Sequence, residues 1–161
     1  MFTDSTLLII GNGFDLQCGL KSSYNDFFEW LRKDQALANN NLWAIHFLST
    51  PPKGYGWIDI EESLRKVLCS KSHEYSTLEL WEKDAEQFFY QMKNGEGFGF
   101  SRDQEVAIYI ARKMIAQQKK VTKPDNLPKF DIYWYLEELN AFESLFSEFI
   151  KNEVLSNGNY L

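Results

Sequence analysis

Apolar residues are arranged in two ways along this chain. Residues 6–10 form a nearly unbroken apolar run, Thr-Leu-Leu-Ile-Ile, which suits a strand buried on both faces. From Tyr24 onward the apolar positions recur every three or four residues, the period of amphipathic helices. Ser23 and Asp26 have capping-box spacing, and Tyr24, Phe27, Phe28 and Leu31 follow at i, i+3, i+4 and i+7. That pattern fades near Asn39-Asn40-Asn41. A short helix over 42–48 is predicted next, ended by Pro51-Pro52. Asp59, with Glu62 three residues on, reads as the next cap, and Ile60, Leu64, Val67 and Leu68 as that helix's inner face. Ser76 with Glu79 opens another helix, whose Leu78, Trp81, Ala85, Phe88, Phe89 and Met92 share a side until Asn94-Gly95 stops it. Ser101 with Gln104 predicts a long helix to about residue 120, and residues 121–129, with Pro124 and Pro128, read as a connector. Asp131 begins the last helix. Ile132, Tyr135, Leu136, Leu139, Phe142, Phe146, Phe149 and Ile150 line one side of it, and Asn157-Gly158 ends it.

One strand cannot make a sheet alone, because it needs a partner on at least one edge. No repeat, low-complexity tract or composition shift divides the chain. Residues 1–161 therefore read as a single domain, with a strand–glycine loop–helix unit over 5–36 and a helical region over 40–155. Composition fits a packed interior: 44% of the 161 residues are hydrophobic and 16% aromatic. The net charge of −6 argues against direct nucleic-acid binding, which needs a basic footprint. Lys113, Lys119, Lys120 and Lys123 form a small basic stretch that reads as a solvated helix end. The N-terminal apolar run is too short for a signal core or a membrane span. The expectation is a cytoplasmic, reduced protein without membrane contact, in which Cys18 and Cys69 are buried thiols and not a bridge.

A buried strand running into Gly11-Asn12-Gly13 is how α/β folds bring backbone amides close to a phosphate. Gly11 permits the sharp turn, and Gly13 lets the backbone approach a ligand without a Cβ in the way. Asp15 is placed to take a ribose hydroxyl or to position a water. A second reading stays open: Asn12-Gly13 is also the favoured type I′ hairpin dipeptide, and Phe14, Leu16 and Cys18 alternate with polar Asp15 and Gln17.

The run Gly11-Asn-Gly-Phe-Asp-Leu16, then Gly19-Leu-Lys-Ser-Ser-Tyr24 and Asp26-Phe27, resembles the opening signature of the bacterial AbiH family, linked to abortive phage infection. Trp57-Ile-Asp59-Ile-Glu61 is similar to that family's Trp-x-Asp-x-Glu segment. The resemblance implies an α/β, Rossmann-like and distantly sirtuin-like N-terminal portion, predominantly helical in this chain with very few strands. It implies a first ligand loop over 11–15, with Gly11, Asn12, Gly13, Phe14 and Tyr24 around a nucleotide such as NAD. Family members run longer, and their later Asn-Tyr strand and His-Gly segment have no counterpart here. The chain thus reads as an N-terminal part or a truncated member, in which a nucleotide hydrolase of the NAD type would be incomplete.

Among other titratable residues, Glu61 falls beside Leu68 on a 100° wheel set at Ile60, while Glu62 points away. Glu61 is thus expected at the core's edge, as a half-buried carboxylate able to act as acid, base or ligand contact; a salt bridge or a first-turn acid is its plain structural alternative. Asp15 and Glu61 are the candidate catalytic residues. His46 reads as a satisfied core or boundary histidine. Cys69 and His73 alone make a poor metal site, so no metal is expected. Ser22 and Ser23 lack a Gly-x-Ser-x-Gly setting and read as caps.

Two functions follow. The first is a phage-defence protein with a nucleotide-binding glycine loop. The second is a non-catalytic helical interaction module, working through a protein partner or a homodimer, since the last helix carries more apolar positions than one fragment easily covers.

Overall fold

The computed structural model describes residues 22–51, 57–69, 76–118 and 129–156. Among the described residues there are helices and no sheet. The expected α/β, Rossmann-like architecture is therefore corrected: what this chain packs is helix on helix. The physical reason is that, among the described residues, the buried apolar positions of each helix are covered by other helices. The strand reading for residues 6–10 and the loop that follows lie outside the described residues.

Helix α1 (Tyr24–Lys33) starts as its sequence predicts. The Ser23 hydroxyl accepts from the Asp26 amide at 3.1 Å, Asp26 reaches back to the Ser23 amide, and Tyr24, Phe27, Phe28 and Leu31 are buried. A four-residue helix, α2 (Gln35–Ala38), follows at once. Asp34 caps it by accepting from the Ala36 and Leu37 amides at 3.0 and 3.1 Å.

Helix α3 (Leu42–Ser49) is the centre of the molecule. Leu42, Trp43, Ala44, Ile45, His46 and Phe47 are all buried, so this helix is apolar all round, as a core helix must be. It lies against α6 (Glu105–Gln118) and α7 (Ile132–Phe149), and it also meets the 3₁₀ turn Arg102–Gln104. Around it runs one continuous set of aromatic contacts. Phe28 of α1 lies 5.8 Å from Phe47, and Phe47 lies 5.4 Å from Phe142 of α7. Phe27 meets Phe142, Phe146 and Phe149 at 5.1 to 5.6 Å. Spacings of this kind add to the area that each ring buries.

Helix α4 (Trp57–Cys69) begins two residues before the predicted cap, so Asp59 sits in its first turn. Ile60 and Val67 are buried and Leu64 and Leu68 partly so. Helix α5 (Thr77–Asn94) has the predicted Ser76–Glu79 capping box and, among the described elements, makes its most extensive pairing with α6. Its end is set by Gly95, in the left-handed conformation at φ +69. The Glu96 amide donates to the Gln91 carbonyl at 2.9 Å and the Gly95 amide to the Met92 carbonyl at 3.3 Å, which closes the last turn. No atom stands where a Cβ would go at Gly95, so only the backbone conformation resists a side chain there. Gly95→Ala is expected to cost about 1 kcal/mol, the strain of an L-residue in that region. Urea unfolding checks it, and an unchanged midpoint would remove this account of the helix end.

Helix α7 opens with Asp131 accepting from the Trp134 amide at 3.0 Å and runs into a π-helical turn, Ile150–Leu155. Its predicted eight-residue apolar face is split. Tyr135, Phe142 and Phe149 are buried, whereas Ile132 and Leu136 are exposed beside Tyr133, which is 72% exposed. No helix among the described residues is long and apolar enough to cross a membrane.

Candidate functional site

Tyr24 and Glu61 are the two predicted site residues that the structure describes. Gly11, Asn12, Gly13, Phe14 and Asp15 lie outside the described residues, as do Cys18 and His73. Tyr24 heads α1, with its ring stacked 4.9 Å from Phe146. Burial pushes its hydroxyl up to about 12, and the carboxylates of Glu143 and Glu61 add to the effect. The Tyr24 hydroxyl therefore stays a proton donor across the ordinary pH range. Glu61 comes from α4, so helices distant in sequence bring these two residues into one electrostatic neighbourhood. The half-buried position expected for Glu61 is corrected: its side chain is exposed. Its neighbour Glu62 forms a two-pronged ion pair with Arg65, at 2.8 Å on both oxygens. That pair holds the Glu62 carboxyl below its ordinary range on a solvated face.

His46 is the core histidine expected. Its ring lies 5.1 Å from Trp81 and 5.2 Å from Phe47, and Nε2 is 3.3 Å from the Ser63 hydroxyl. Burial lowers its pKa from 6.5 to about 4, so it stays neutral and carries no charge into chemistry near pH 7. Among the described residues no three His, Cys, Asp or Glu side chains gather to hold a metal. Cys69 is exposed, against the buried thiol expected.

A second polar cluster joins α3, α6 and α7. The Glu138 carboxylate accepts from the Leu42 amide at 3.1 Å and from the Tyr109 hydroxyl at 3.0 Å, while Lys113 stands 3.9 Å away. Asn41 donates to the Glu138 carbonyl at 2.8 Å and accepts from the amides of Trp43 and Ala44. These bonds satisfy the first amides of α3, the buried Tyr109 hydroxyl and the Asn41 side chain. The cluster is therefore a clasp that fixes the core, and Lys113, read from sequence as a solvated helix end, belongs to it.

A cleft of about 520 Å³ opens where α1, α2, α3 and α6 meet the 3₁₀ turn. Ile45, Leu48 and Ile108 form its apolar lining, and Arg32, Arg102 and Arg112 stand around it with Phe100. Sequence reasoning missed these arginines. They come from three separate elements, and each alone looks like an ordinary solvated charge. The one signal on offer was the i, i+3, i+4, i+7 set Glu105, Ile108, Tyr109 and Arg112, a helix face with a charge at each end.

The described residues thus define an all-helical domain with a buried aromatic centre and an arginine-lined cleft on its surface. The chain belongs to the bacteriophage abortive infection AbiH family, whose model matches residues 7–123. No curated protein and no solved structure matches it.

Proposed function

We propose that this protein serves abortive infection by binding a nucleotide at the glycine segment, with Gly11, Asn12, Gly13, Phe14 and Tyr24 as the binding residues. The nucleotide is NAD or a relative of it, and Asp15 and Glu61 are the carboxylates that orient or activate water against it. The observation that carries this reading is the family match, because the matched residues include the whole glycine segment and the Trp57-x-Asp59-x-Glu61 stretch. Two observations support it: burial and the charges of Glu143 and Glu61 keep the Tyr24 hydroxyl protonated, and the Glu61 carboxylate faces solvent.

Calorimetric titration of the full chain with NAD tests the binding claim, and NAD consumption tests the chemistry. Binding is expected to disappear in Gly13→Val, where a side chain would block the approach of a phosphate. Asp15→Asn and Glu61→Gln are expected to keep binding and lose turnover. No heat with NAD, or NAD heat and turnover that Gly13→Val leaves unchanged, would overturn the proposal.

A further inference from the structure

The arginine-lined cleft plays no part in the function just proposed. Its wall is one face of α6, where Glu105, Ile108, Tyr109 and Arg112 fall at i, i+3, i+4 and i+7. Arg112 is exposed and has no ion-pair partner among the described residues. Arg102 uses one N–H on the Leu48 carbonyl at 3.1 Å, which fixes the guanidinium and leaves the rest of its fork available. Arg32 pairs with Glu29 at 2.5 Å. The one carboxylate of the lining, Glu105, accepts from the Ser49 hydroxyl at 2.7 Å and pairs with none of the three arginines.

Three arginines on a small domain are usually solvated and idle. Here they gather around one concavity of a chain whose net charge is −6, so the local excess of positive charge runs against the molecule's overall sign. Guanidinium forks match phosphate oxygens in shape and charge. Phe100, 54% exposed, offers a ring face at the same rim. Gln35 and Asn39 add amide donors and acceptors. The volume lies within the range of small-ligand sites, about 300–1,000 Å³.

We infer that this cleft binds a nucleoside phosphate, with the phosphates on Arg102 and Arg112, Arg32 at their outer edge, and the base against Phe100. The inference does not rest on the glycine segment.

Titration of the full chain with adenosine diphosphate, pyrophosphate and adenosine tests it. The diphosphate is expected to bind more tightly than either part. Arg112→Gln and Arg102→Gln are each expected to weaken it about tenfold or more, the loss of one charge-assisted contact. Phe100→Ala is expected to weaken the diphosphate by a similar factor and to leave pyrophosphate unchanged. Arg112 is exposed, so its variant keeps the fold, and circular dichroism verifies this. Gly13→Val is expected to leave cleft binding intact. Absence of diphosphate binding, or equal binding by the wild type and both arginine variants, overturns the inference. Binding lost in Gly13→Val and unchanged in the arginine variants assigns the nucleotide to the glycine segment, which sinks this inference and sustains the earlier proposal. Binding lost only in the arginine variants sustains this inference, and the glycine-segment proposal then stands or falls on its own NAD titration.

Discussion

Trp43→Ala is expected to lower the free energy of unfolding by about 4 kcal/mol, within the range for emptying an aromatic site in a packed core. Trp43 is fully buried on α3, with rings of His46, Phe47 and Trp81 at 6.1 to 6.3 Å. Its indole N–H donates to the Tyr135 carbonyl at 3.0 Å, so truncation also strips a partner from a buried carbonyl on α7. Two companion variants make the test specific. Trp43→Phe keeps most of the volume and loses only that bond, so it is expected to cost about half as much. Tyr133→Ala, at a 72% exposed position, is expected to stay within about 0.5 kcal/mol of the wild type. Chemical denaturation of the three variants checks the order. If the alanine at 43 proved no worse than the alanine at 133, α3 would not be the centre of the core.

The second large effect is a loss of stability in mild acid, traced to His46. Its folded-state pKa of about 4 lies below the ordinary 6.5, because Trp43, Phe47, Trp81 and the Ser63 hydroxyl surround it and burial penalises the charged ring. Above 6.5 neither state binds a proton there, and His46 has no effect on stability. As pH falls below 6.5 the unfolded chain takes up a proton that the folded chain refuses, so the folded state loses ground. This histidine alone is expected to remove about 2 kcal/mol by pH 5 and about 3 kcal/mol by pH 4. His46→Gln retains a polar end group facing Ser63 and removes the titration. Its stability curve between pH 7 and pH 4 is expected to be flatter than the wild type's by that amount. Parallel curves for the two proteins would rule out His46 as the cause.

Much of the helical layout was legible because caps are local chemistry. Ser23 with Asp26, Ser76 with Glu79, and Asp131 each satisfy an amide within three residues, and each stands at a helix start in the structure. Gly95 marked a helix end for the same reason. Asp59 misled because a carboxylate is favoured both at the cap and in the first turn, so its presence does not separate the two. Helix α2 was invisible because four residues are too few to show a period.

The longer-range errors have a different source. The α/β expectation rested on residues 6–10 and on resemblance, whereas the packing of the described residues is decided by which apolar stripe meets which. A stripe such as Phe27 and Phe28 shows that it will be buried, and does not show that Phe142 and Phe146 will cover it. The exposure of Ile132 and Leu136 has the same origin: periodicity names a face, and only the neighbours decide how far along the helix that face is covered. The candidate site divides in the same way. Tyr24 and Glu61 were singled out by short motifs, and the structure sets them on α1 and α4. The arginines of the cleft were not, because Arg32, Arg102 and Arg112 come to line one cleft only after the chain has folded.

The clasp at Glu138 ties the matched residues to the helix that follows them. The match ends at residue 123, and α7 begins at Ile132. Yet α7 supplies the carboxylate that satisfies the first amide of α3, the carbonyl that receives the Trp43 indole, and the rings that cover Phe27. A helix as short as α3 has little stability of its own in water. The innermost helix of the matched residues is thus completed by residues that follow the match, so cutting this protein after residue 123 is expected to destabilise α3.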